Sequence, residues 1–161
     1  MAGDKPLLIY STDIAAEWID YNGHLRDAYY GLIGSFAVDA LMDELGIDER
    51  YRNATRCTLY TLEMHLRYLH EVKGDDELIT RYELIGFDAK RLHLLLALHC
   101  GRYPDPAAVI EVMLLHVRQD AEPRSAKLPE VAMERLNSWQ LLAPDAALLA
   151  LGSHQMTLTR R

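Results

Sequence analysis

The chain reads as an α+β domain: an antiparallel β-sheet wrapped around one long central helix, plus a C-terminal helix. Three observations predict this. Between Asp27 and Leu45 the apolar residues recur at intervals of three and four. From Leu59 to Arg118, four strand-like segments follow one another across turns rich in Gly, Pro and Asp. A helical segment then opens on Pro129. Consecutive strands imply an antiparallel sheet, and one long helix is suited to covering one of its faces.

Leu7–Thr12 (LLIYST) is short, apolar and partly β-branched, as a strand requires. Asp27 is expected to cap the long helix, with its negative charge at the positive end of the helix dipole. Tyr30, Ile33, Ala37, Leu41 and Leu45 form its apolar stripe. Gly46 stands where a left-handed C-terminal cap belongs. Leu59–Val72 (LYTLEMHLRYLHEV) alternates, with Leu62, Met64, Leu66 and Tyr68 on one side and Thr61, Glu63, His65 and Arg67 on the other. It is predicted as a half-buried strand, joined to the next by the turn Lys73-Gly74-Asp75-Asp76. Glu77–Gly86 and Arg91–Cys100 follow as strands around a turn at Phe87–Lys90, although the leucines of RLHLLLALHC also suit a helix. Gly101–Pro106 must turn, and Ala108–Arg118 is the last long strand. Pro129–Leu142 is the C-terminal helix, with proline near the first position, where it is tolerated. The tail from Ala143 is ambiguous, with Met156–Thr159 a possible short strand.

The 161 residues suit a single domain spanning 1–161, with its core at about 7–142. A formal net charge of −7 argues against general nucleic-acid binding, which needs a basic face. Cys57 and Cys100 match neither a metal spacing nor a secreted disulfide framework, so reduced thiols in the cytoplasm are expected. The N-terminal MAGDKPLLIYSTD lacks the pattern of a signal peptide, and no apolar run is long enough to span a membrane. No metal is expected, because the seven histidines offer no paired ligand spacing joined to a third ligand.

The stretch Glu17–Gly31, EWIDYNGHLRDAYYG, crowds polar groups and rings in front of the long helix. Asp20, Gly23, His24 and Tyr30 in it match the D-x-x-G-H-V-N-N-x-x-Y pattern of hotdog-fold acyl-CoA thioesterases similar to 4-hydroxybenzoyl-CoA thioesterase. Leu25 replaces the valine, and Arg26-Asp27 replaces the asparagine pair. Gly74-Asp75 before a strand and Lys127-Leu128-Pro129 before the last helix extend the resemblance over roughly Leu7–Leu142. Within that family, IDYNGHLRDAYY, YTLEMHLRYLHEV and DAKRLHLLL resemble the betainyl-CoA thioesterases of bacterial carnitine catabolism.

The resemblance implies the hotdog fold, thioester hydrolysis of a small acyl-CoA and a homodimer or dimer of dimers with sites at subunit interfaces. It implies no cofactor beyond the coenzyme A of the substrate. It assigns the catalytic carboxylate to Asp20, as nucleophile or as general base toward water. Backbone N–H groups at the start of the long helix are the expected oxyanion donors. Gly23 allows close backbone approach to a ligand. The implied acyl group, trimethylammonioacetate, has no N–H to donate, so its recognition must come from ring faces and diffuse negative potential. Trp18, Tyr21, Tyr29 and Tyr30 are candidates for such a cage, together with Tyr60 and Tyr68 of the next strand. Asn22 and His24 are candidates for substrate contact or for holding the loop. Glu63 and His65 share a polar strand face that suits either a cleft or solvent. Lys90, Arg91, Arg118, Arg124 and Lys127 are candidates for the coenzyme A phosphates.

Other readings stay open from sequence. The acyl group is short-chain or aromatic instead, or the chain is a non-catalytic acyl-CoA-binding module. A hydratase of the same fold would carry D-x-N-x-x-H, but here the histidine of D20-Y-N22-G-H24 comes one position early.

Overall fold

The computed structural model describes residues 9–159. Its elements are β1 (Ile9–Asp13), a 3₁₀ turn at Ala16–Trp18, α1 (Asp27–Glu44), α2 (Glu49–Thr55), β2 (Cys57–Tyr68), β3 (Glu77–Phe87), β4 (Arg91–His99), β5 (Ala108–Arg118), β6 (Arg124–Ser125), α3 (Glu130–Gln140) and α4 (Ala146–Leu149). Leu7 and Leu8 of the predicted first strand lie outside the described residues.

Helix α1 follows its stripe. Tyr30, Ile33, Ala37, Leu41 and Leu45 are all buried and join one core with the inward leucines of the sheet. Gly34 completes the contact, because a Cβ there would meet the Ile110 Cδ1 atom at 2.6 Å. The helix ends as predicted at Gly46, with φ +75. There the Gly46 N–H donates to Asp43 O and the Ile47 N–H to Met42 O. The N-terminus departs from the expectation. Arg26 is the capping residue, without a side-chain cap, and Asp27 is the first helical residue. Its Oδ1 accepts from the Ala28 N–H at 2.9 Å.

The strands run in the order β1-β3-β4-β5-β2, with β6 on β5, and every pairing is antiparallel. Strands β3, β4 and β5 form the expected hairpins. The predicted hairpin between β2 and β3 does not exist: β2 pairs with β5 at one edge, and residues 69–76 carry the chain across to β3. Strand β4 shows why its leucines lacked alternation. Leu92, Leu94, Leu96 and Leu98 face the α1 core, while Leu95 and Ala97 lie in a second cluster with Val109 and Leu148. A strand buried on both faces reads as a continuous apolar run.

That second cluster exists because the C-terminal tail folds over the outer face of the sheet. Asp145 caps α4 by accepting from the Ala147 and Leu148 N–H groups. Beyond α4, Glu111 on the same outer face accepts from His93 Nε2 at 2.7 Å and from the Ser153 N–H. Met156–Thr159 forms no strand. Helix α2 was unread because it spans seven residues without an apolar period; its signal was Asp48, which accepts from the Tyr51 N–H at 2.8 Å.

Strand β2 also departs from its predicted half-burial. Leu62 is 55% exposed and Met64 42%. A register shift between Thr61 and Glu63 breaks the alternation, and the strand lies at the sheet edge. Among the described residues no helix is long and apolar enough to cross a membrane.

Candidate active site

The polar loop before α1 closes on itself. The Asp20 N–H donates to His24 O and the Gly23 N–H to Asp20 O, while Ile19 bridges Leu25. Gly23 takes φ +79, and a Cβ there would meet nothing within 4 Å, so conformation, not crowding, selects glycine. The turn aims the backbone at one oxygen of Asp20: Oδ1 accepts from the Asn22 N–H at 2.8 Å and the His24 N–H at 3.1 Å. The His24 amide is the main cause holding this carboxyl below its ordinary value, helped by the Asn22 amide and by the His24 and Arg26 charges against a desolvation cost. Oδ2 accepts no hydrogen bond among the described residues, so one oxygen is fixed and the other is unengaged.

The connection between β2 and β3 builds the opposite wall. The Leu25 N–H donates to Val72 O at 2.8 Å, and His24 bridges Lys73, so this segment is stitched to the loop. His24 Nε2 lies 3.2 Å from Glu71 Oε2. Gly74 packs under Ile19, with 3.2 Å left for a Cβ. The resulting cavity has a volume of about 460 Å³ and is lined by Asp20, His24, Arg26, Asp27, Tyr30 and Tyr68, with Leu25 and residues 69–71 completing it.

Of the sequence-derived candidates, Asp20, His24, Tyr30 and Tyr68 therefore meet in one cavity. Trp18 and Tyr29 do not line it. They stack on each other with centroids 5.6 Å apart and pack against the core. Tyr21 is 92% exposed at the loop tip, with Asn22 and Gly23 exposed beside it. Glu63 and His65 are exposed on β2, opposite Met113 and Glu111, and also lie outside the lining. Leu25, Arg26, Leu69, His70 and Glu71 line the cavity without being site candidates from sequence, where Asp27 is the helix cap lying close to the candidate cage. Leu69, His70 and Glu71 fall within the extended strand expected over Leu59–Val72. No local pattern shows that the chain crosses the sheet there.

The basic candidates sit at the other end of the sheet. Arg118 is opposite Cys57 at the start of β2, whereas the cavity lies beyond Tyr68 at its end. The 12 residues between span roughly 36 Å. Arg91 is held by Asp88 Oδ2 and Leu158 O, and Lys90 donates to Ser125 Oγ at 3.0 Å. Arg118 and Arg124 both approach Asp120, and Lys127 is exposed.

The oxyanion donors expected at the helix start are partly occupied. The Ala28 N–H is bound by the Asp27 carboxylate, and the Tyr29 N–H donates to Arg26 O at 3.0 Å. The Asp27 N–H has no acceptor among the described residues, and it sits at the positive end of an 18-residue helix.

Comparison with known proteins agrees with this picture. Residues 14–136 match the model of the thioesterase-like superfamily. The chain is 46% identical over 132 residues to the betainyl-CoA thioesterase of Pseudomonas aeruginosa, covering 82% of each protein. It is 35% identical over 147 residues to the L-carnitine dehydrogenase/betainyl-CoA thioesterase of Rhizobium meliloti, covering 88% of this chain and 29% of that longer protein. A Staphylococcus aureus protein solved in complex with CoA superposes with a TM-score of 0.81 at 28% identity, over 96% of this chain and 97% of that one. Its curled antiparallel sheet around one helix is the hotdog fold, and the chain belongs to the thioesterase-like superfamily as a thioester hydrolase.

Proposed function

We propose that this protein hydrolyses betainyl-CoA to betaine and free CoA, with Asp20 as the catalytic residue. The observation that carries the reading is the carboxylate of Asp20 at the cavity, one oxygen pinned by two amides and the other unengaged. The likeness to the Pseudomonas thioesterase supports the acyl group. The fusion of L-carnitine dehydrogenase to the same kind of domain in the Rhizobium relative supports a place in L-carnitine breakdown.

Thioester hydrolysis adds one water across the C–S bond. In the general-base route, Asp20 takes a proton from water as its oxygen attacks the acyl carbon. The tetrahedral oxyanion is held by the unpaired Asp27 amide, the C–S bond breaks, and the thiolate leaves with the proton. In the nucleophilic route the same carboxylate oxygen attacks the acyl carbon and the C–S bond breaks to expel the CoA thiolate; water then cleaves the mixed anhydride, regenerating the Asp20 carboxylate and supplying the proton that the thiolate takes up. Both routes need an ionised, unencumbered oxygen. The carboxylate of Asp20 is ionised at neutral pH, and hydrogen bonds donated by the His24 and Asn22 amides hold its pKa below the ordinary value.

A homodimer is part of the proposal. Strand β2 is a 12-residue edge carrying exposed Tyr60, Leu62 and Met64, an arrangement that a monomer would leave open to association. Antiparallel pairing of two β2 edges would set the start of one strand beside the end of the other. Arg118 and its basic neighbours would then lie near the partner's cavity, as phosphate recognition across an interface requires.

The test is thiol release from a panel of acyl-CoA thioesters: betainyl, acetyl, butyryl and benzoyl. Betainyl-CoA as the preferred substrate by kcat/KM supports the proposal. Preference for another acyl group overturns the substrate, and binding without thiol release overturns the activity.

A further inference from the structure

A trimethylammonium group offers no hydrogen to donate and spreads one positive charge over its methyl surface. A protein distinguishes it from a neutral group of the same shape only by placing ring faces and unneutralised negative charge around it. Ring area alone would accept both.

The cavity contains one ring that is exposed and yet fixed. Tyr68, the last residue of β2, is 53% exposed. Its hydroxyl donates to Asp27 O at 3.0 Å, and its ring stands at 89° to Tyr30 with centroids 5.1 Å apart. An exposed tyrosine without such ties samples several rotamers; this one is held as a wall of the cavity before any ligand arrives. Ordering costs are therefore met in the free protein.

Charge in the same cavity supports this reading. Its lining carries the carboxylates of Asp20, Asp27 and Glu71 against the single guanidinium of Arg26. The carboxylates of Asp27 and Glu71 take no part in the hydrolytic step, to which Asp27 lends only its backbone amide. Asp27 spends Oδ1 on the Ala28 amide, while Glu71 is 63% exposed and touches His24 through one oxygen. Their charges remain to act through space on a bound cation.

We propose that Tyr68 and Glu71 are the specificity-determining residues for the acyl group, reading the quaternary ammonium by ring face and carboxylate while Asp20 performs the hydrolysis. The inference rests on betainyl-CoA being the substrate. It replaces Trp18, Tyr21 and Tyr29, whose rings lie outside the cavity, with a ring and a carboxylate brought in by β2 and the crossover.

The experiment compares betainyl-CoA with 3,3-dimethylbutyryl-CoA, in which carbon replaces nitrogen and the charge vanishes at nearly constant shape. The readout is the ratio of kcat/KM for the two thioesters in the wild type, Tyr68→Leu, Tyr68→Phe and Glu71→Gln. The wild type is expected to favour the cation. Tyr68→Leu should lower the ratio roughly 2- to 30-fold, the range for one ring on a cation. Glu71→Gln should lower it as well, and the gap should narrow with added salt. Tyr68→Phe should keep most of the ratio, because it loses the tether to Asp27 but retains the ring and its edge contact with Tyr30. An unchanged ratio in both Tyr68→Leu and Glu71→Gln overturns the assignment. So does an equal loss on both thioesters, which would make these residues general supports. A wild type that hydrolyses the two equally overturns charge reading while leaving thioester hydrolysis intact. One that hydrolyses neither overturns the substrate reading on which the inference rests.

Discussion

Replacing Asp20 with asparagine tests the catalytic assignment with little disturbance to the fold. The asparagine side-chain oxygen can still accept from the Asn22 and His24 amides, so the turn of residues 20–24 keeps its hydrogen bonds. What changes is the other atom: in a residue that lines the cavity, an NH₂ group replaces the unengaged oxygen. It carries no charge, accepts no proton and is a poor nucleophile. Removing a positioned proton acceptor costs roughly 10²- to 10⁴-fold in rate, and a nucleophile at least as much. Thiol release from betainyl-CoA under saturating substrate should fall by about that factor in kcat, with KM changing by less than about threefold. Melting temperature should stay within about 2 °C of wild type, since surface substitutions that keep their hydrogen bonds alter stability little. The pH profile follows from the sign of the shift. The carboxyl is held below 3.8, so the active ionised form is fully present above that value and is lost only as pH falls through the lower folded one. Wild-type activity should therefore show no acid limb assignable to Asp20 above about pH 4. An Asp20→Asn enzyme that turns over at wild-type speed would refute the reasoning.

Three further outcomes follow from the structure. Glu111→Ala removes a carboxylate buried on the outer face, leaving His93 and the Ser153 amide without their partner. The expected loss is about 3–5 kcal/mol, or a fall in melting temperature of roughly 6–20 °C by calorimetry. Burial alone would raise the Glu111 pKa, but hydrogen bonds from Ser153 and His93 lower it; its stabilisation should be complete above pH 4.5 and fade as pH falls through the lower folded value. Gly46→Ala forces a side chain into φ +75 and a Cβ to within 2.8 Å of Val131 Cγ1. A loss of about 1–2 kcal/mol is expected in urea unfolding. Leu62→Lys puts a charge on the exposed face of the β2 edge. If two copies pair there, light scattering should show a smaller species and thiol release should drop; an unchanged dimer at unchanged activity would exclude that edge as the interface.

The sequence by itself determined what nearest neighbours decide. The stripe from Tyr30 to Leu45 marked α1, Gly46 its end, and the Gly-, Pro- and Asp-rich breaks the limits of β3, β4 and β5. The loop from Asp20 to His24 was legible because its turn is local, each bond closing within four residues. What tertiary structure decided is which distant segments meet. Strand β2 looked like the first arm of a hairpin, yet it pairs with β5, and the crossover that follows brings Tyr68, His70 and Glu71 to the cavity. Alternation along a strand reports that one face is covered, not which strand lies beside it. For the same reason β4 hid its second buried face, covered by a tail some 50 residues further along the chain. Periodicity records a local average of burial, whereas a binding site is made of contacts between segments far apart in sequence.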